Sequence, residues 1–204
     1  MFTEKEIGAL LKYPGIQDKI AALKLDFINE EAEYLEIEAH DFLSLILLTP
    51  SVGIALSNGS VSLFEEMALN KKARKLSKGG YFLKTDPVVF AMELLIKSYD
   101  KWAPIFYASI KSLMHATIDL DTQIDNNFSI SDTKESEQCV QVLKSPFILV
   151  RFLTSFFMND EEEDILSERK ISKIEYDRVE VIAEQLGFTE LPIYQIYRSK
   201  LIVK

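Results

Sequence analysis

Two short stretches decide how this chain is read: Val61-Ser62-Leu63-Phe64-Glu65 and, later, Ile171-Ser172-Lys173-Ile174-Glu175. In each, a serine stands three residues before a glutamate, at the start of a run with helical apolar spacing. The serine oxygen can accept the amide of the third helical residue, while the glutamate accepts the serine's own amide. Such a capping box satisfies two of the orphan donors of a helix start and is worth about 1 kcal/mol. A shift of 110 positions superimposes the two stretches and also sets Ala73 on Ala183 and Leu76 on Leu186. Before each copy lies a helix opened by hydroxyl-proline, Thr49-Pro50 or Ser145-Pro146. Each of those helices ends in a polar turn, Asn58-Gly59 or Asn159-Asp160, and the second copy carries an insertion over roughly residues 161–169. The pattern predicts a duplicated helical unit.

Outward from the repeat, helical periodicity extends over nearly the whole chain, and seven glycines and six prolines leave few breaks. Thr3 and Glu6 form another capping box ahead of Ile7, Leu10 and Leu11, and a second helix carries Ile16, Ile20, Leu23 and Phe27. A third, acidic helix is expected from about Glu30 to Leu48, with Thr49-Pro50 either kinking it or opening another. Asp86-Pro87 and Pro104 mark two further helix starts. A polar connection follows near 119–137. Helices resume near Lys134, after Pro146, near Ser172 and near Glu190. The expected class is all-α: a single domain over 1–204, built as a compact bundle of about eight to ten helices.

Composition narrows the function. With 48% hydrophobic residues in 204, the chain can bury a core unaided, and its single cysteine, Cys139, allows no internal disulfide. The first residues lack the basic start and apolar run of a secretory signal, and no window approaches the roughly 18 to 20 apolar residues of a membrane span. These features suggest a cytoplasmic protein. A formal charge of −9 disfavours nucleic acid and anionic membrane surfaces as partners.

The unit Ala55-Leu56-Ser57-Asn58-Gly59-Ser60-Val61-Ser62-Leu63-Phe64-Glu65 resembles a motif that occurs twice in TerB-like tellurite-resistance domains. The second copy is similar at Ile171-Ser172-Lys173-Ile174-Glu175 and closes with Ile182-Ala183-Glu184-Gln185-Leu186-Gly187-Phe188. The resemblance covers roughly residues 42–193 and leaves 1–41 as an N-terminal helical extension. It implies a compact seven-helix core with pseudo-twofold halves, a role in chemical-stress responses or membrane-associated complexes, and divalent-metal binding. The implied ligands for calcium or magnesium are Asn58, Glu65, Asp160 and Glu175. Asn58 stands where the family has aspartate, which removes a charge that a hard cation would favour.

Other constellations read less specifically. Asp160-Glu161-Glu162-Glu163-Asp164 lacks the alternating ligands and glycine of a calcium loop and reads as a solvated run. Glu33, Glu36 and His40, with Glu30, would share one helix and could serve a ferritin-like or haem-oxygenase-like enzyme. That metal chemistry, however, needs Glu-x-x-His pairs, which neither His40 nor His115 provides. His40 then reads as a boundary residue and His115 as packed or capping. Lys71, Lys72, Arg74, Lys75 and Lys78 cluster on one helix, where they suit its C-terminal dipole; Lys71, Lys75 and Lys78 share a face that could hold a phosphate, an acidic lipid headgroup or an acidic partner. Tyr99, Trp102, Phe106 and Tyr107 read as core. Cys139 has no histidine nearby to activate it. The leading expectation is a non-enzymatic module that acts through a protein partner, alone or within a peripheral membrane complex. The bundle enzyme is the alternative.

Overall fold

The computed structural model describes residues 1–13, 15–79, 86–118, 148–158 and 167–204. The described helices are α1 (Glu4–Leu10), α2 (Ile16–Glu31), α3 (Ala39–Ala55), α4 (Leu63–Leu76), α5 (Pro87–Lys97), α6 (Tyr99–Thr117), α7 (Ile148–Phe157), α8 (Lys173–Leu186) and α9 (Pro192–Ser199). A 3-10 turn, Leu56–Asn58, follows α3. Among the described residues the fold is all-α apart from two three-residue strands, β1 (Arg169–Ile171) and β2 (Leu201–Val203).

α3 is the axis of the fold. All of its residues except Ala39, His40 and Ile54 are buried, and α1, α2, α4, α5, α6, α7 and α8 all pack against it. A helix apolar on every side has to be enclosed, and this one is. Together with the following turn, the stretch Ala39–Asn58 is long and apolar enough to cross a membrane, with mean hydropathy 1.5, yet 78% of it is buried inside the molecule. The expectation that no window reaches that length is thereby corrected. Ser44, Thr49 and Ser51 interrupt the apolar run in sequence, but their hydroxyls bond carbonyls and lie inside with the rest.

The first residues belong to the same core. Phe27 of α2 meets Phe42, Trp102 and Phe106 at ring-centroid distances of 5.6, 5.0 and 5.8 Å, joining α2, α3 and α6. Phe2 stacks edge-on against Phe152 of α7 at 5.0 Å, and its amide donates to Ser155 Oγ. The expected aromatic core at Tyr99, Trp102, Phe106 and Tyr107 is present, all four side chains being buried.

Three expectations change. The acidic helix from Glu30 does not exist: α2 ends at Glu31 and an irregular connection reaches Glu38, because Leu35 and Ile37 turn inward. Pro104 opens no helix and lies inside α6, where its missing amide leaves only the carbonyl of exposed Asp100 without its helical partner. β1 and β2 were not anticipated; they pair in parallel with Arg169 opposite Leu201 and Ile171 opposite Val203. Pro50 lies within α3, which continues through it. The polar connection at 119–137, Cys139, the Ser145-Pro146 start and the acidic run 160–164 lie outside the described residues.

Candidate interaction surface

The serine-glutamate boxes form as the spacing requires. Glu65 Oε2 accepts from the Ser62 amide at 2.7 Å and from its hydroxyl, and the Glu65 amide donates back to Ser62 Oγ. Glu175 Oε2 accepts from the Ser172 amide at 2.9 Å, and the Glu175 amide donates to Ser172 Oγ at 3.2 Å. Each glutamate thus has one oxygen engaged at its own helix start. Asn58 closes the 3-10 turn ahead of Gly59, whose φ of +85° needs glycine. That turn packs against α8, but Asp160 lies outside the described residues. Among the described residues, no three His, Cys, Asp or Glu side chains are grouped to hold a metal.

The alternative enzyme set does not assemble as expected. Glu33 and Glu36 are exposed in the irregular connection, off any helix. His40 is a boundary residue, 11% exposed, at the start of α3. Its Nε2 donates to the Glu4 carbonyl at 2.9 Å and its Nδ1 to Asp41 Oδ1 at 3.1 Å. Asp41 is fully buried and also accepts the Lys78 amide at 2.8 Å. This node ties α1 and the end of α4 to the head of α3.

The basic cluster on α4 divides in two. Lys72 is 2% exposed, and its Nζ donates to Ser51 Oγ at 2.5 Å and to the Met158 carbonyl at 2.9 Å. Ser51 Oγ in turn donates to the Phe156 carbonyl at 3.0 Å. A serine against a lysine can form a nucleophile-base pair. Here the serine proton is directed to a carbonyl and the lysine donates, so the pair holds the end of α7. Sequence reasoning grouped Lys72 with the surface lysines. The spacing Leu69, Lys72, Ala73, Leu76 could have shown that it lies on the buried stripe.

The rest of the cluster faces outward. Lys71, Arg74, Lys75 and Lys78 are exposed. On the same side, at the N-terminal end of α4, three large apolar residues are open to solvent: Leu63 at 69%, Phe64 at 84% and Met67 at 61%. Between these groups, Met67, Asn70, Lys71, Arg74 and Lys75 line an open depression of about 520 Å³. Asn70 Oδ1 is shielded from water and accepts no hydrogen bond among the described residues. Scattered exposed apolar residues are ordinary, but a contiguous group beside polar rims marks a contact surface. Sequence reasoning missed Phe64 and Met67, although they lie opposite the Leu69-Ala73-Leu76 stripe.

A second concavity, about 370 Å³, lies where α6, α7 and the end of α8 meet; its lining includes Lys111, Met114, His115, Leu149, Leu186 and Leu191. His115 is exposed at this groove rather than packed, and it is the basic side chain in the last turn of α6. Gly187, with φ of +77°, caps α8 there, under the Lys111 side chain. Compared with known protein families, with curated proteins and with solved structures, the chain matches none.

Proposed function

We propose that this chain is a non-enzymatic helical module, of the duplicated TerB-like kind, that works through a protein contact on the outer face of α4. The observation that carries the proposal is the group Leu63, Phe64 and Met67, each more than 60% exposed on the helix that the Ser62-Glu65 box opens. Fully burying one such side chain contributes about 1.5–3 kcal/mol, so leaving three together in water is costly unless a partner covers them. The duplicated reading is supported by the two boxes, which use the same atoms at the starts of α4 and α8. In this reading Glu65 and Glu175 set helix starts.

The test is cross-linking capture with the intact chain, wild type against the double variant Phe64→Ser, Met67→Ser. Both positions are exposed, so the variant should keep its melting midpoint. The expected result is at least one partner protein that wild type captures and the double variant loses. An identical set of captured proteins for both would remove the α4 surface from consideration.

A further inference from the structure

The α4 face changes character along its axis, and that change specifies a partner. Leu63, Phe64 and Met67 occupy its N-terminal end, while Lys71, Arg74 and Lys75 occupy its C-terminal end, all on the side away from the buried Leu69, Ala73 and Leu76; Lys78 lies beyond the helix and pairs with Glu38 at 3.0 Å. The depression between them is lined by Met67 at one end and Arg74 and Lys75 at the other, with Asn70 and Lys71 between. We infer that this face receives an amphipathic helical segment of a partner protein, with apolar residues at one end and carboxylates at the other. The inference rests on the α4 contact surface proposed above.

Two arguments lead to that partner. Apolar anchors on a helix face are the usual way a helix docks to a groove. The guanidinium of Arg74 presents a planar fork that matches a carboxylate, and opposite charge both steers the encounter and fixes its direction. A membrane surface fits less well. Helices that lie on membranes separate apolar from basic around the axis, whereas α4 separates them along it.

The experiment uses the intact chain and a fluorescein-labelled synthetic 16-residue amphipathic helix, with leucines in its first two turns and glutamates in its last two. A control peptide carries lysine in place of each glutamate. The expected outcome is saturable binding of the acidic peptide, weakened at least tenfold by Arg74→Glu and by Phe64→Ser and reduced by salt, with no binding of the lysine peptide. Equal binding of the two peptides, or no effect of Arg74→Glu, overturns the inference. Co-sedimentation with phosphatidylserine vesicles that depends on Phe64 and Arg74 would assign the face to a membrane and also overturn it. Peptide binding that appears only after residues 160–164 are changed to Asn and Gln would assign the face to the chain's own acidic run, with the same consequence. If Phe64- and Met67-dependent capture persists while the acidic peptide fails to bind, the charge assignment falls and the contact surface stands. If capture is independent of both residues, the two fall together.

Discussion

At the residue scale, His40 donates from both ring nitrogens, to a carbonyl and to a carboxylate, neither of which can donate back. Only the imidazolium satisfies both. Burial would lower its pKa, but the hydrogen bonds to Asp41 and Glu4 outweigh that and raise it above the ordinary 6.5. A raised folded-state value means that the stabilisation is complete below about pH 6.5 and is lost as pH rises through the folded pKa. The stability gap between wild type and His40→Gln should therefore be widest near pH 6 and close towards pH 9 in chemical unfolding; a constant gap would refute the doubly donating ring. Lys72 gives a second prediction. Lys72→Met keeps the buried stem but leaves the Met158 carbonyl without the lysine donor, and should cost about 1–3 kcal/mol in urea unfolding. Unchanged stability would show that the lysine does not hold the end of α7.

At the scale of elements, α3 depends on Gly53. A Cβ there would lie 2.1 Å from Tyr99 Oη and 3.1 Å from Ile182 Cδ1, where α3 passes α6 and α8. The Tyr99 ring is buried and its hydroxyl bonds to Tyr107, so it cannot readily yield. Alanine favours helix by about 1 kcal/mol over glycine, but overpacking costs about 1–3 kcal/mol. Gly53→Ala should therefore lower the midpoint of thermal unfolding by several degrees, whereas a rise would mean that the helices separate freely at this crossing. The capping glutamates of α4 and α8 lead to a different expectation. With one oxygen of each engaged by serine, millimolar calcium or magnesium should leave the wild-type midpoint unchanged, since only an ion bound to the native state raises it. A clear rise would support Glu65 and Glu175 as cation ligands.

At the scale of the whole molecule, residues before α3 complete the core. Phe27 is fully buried among Phe42, Trp102 and Phe106, and Trp102 Nε1 donates to Glu31 Oε1 at 2.7 Å at the end of α2. Phe27→Ala should cost about 3–5 kcal/mol in chemical unfolding. A loss below about 1 kcal/mol would indicate that the N-terminal helices are an appendage, as the extent of the family resemblance implied.

Local rules reached the helix starts because a cap is made by neighbours in sequence. Thr3-Glu6, Ser62-Glu65, Asp86-Pro87 and Ser172-Glu175 each need only a few residues to form, and all four do. The all-α class was legible for the same reason, since apolar spacing reports one helix at a time. Three features had to wait for the tertiary structure. Lys72 lies inside because α7 brings carbonyls to it, and β1 pairs with β2 only because α8 and α9 return the chain alongside. The candidate surface became visible only when the fold buried one side of α4 and left Leu63, Phe64 and Met67 uncovered. Burial depends on partners distant in the chain, and no local spacing contains them.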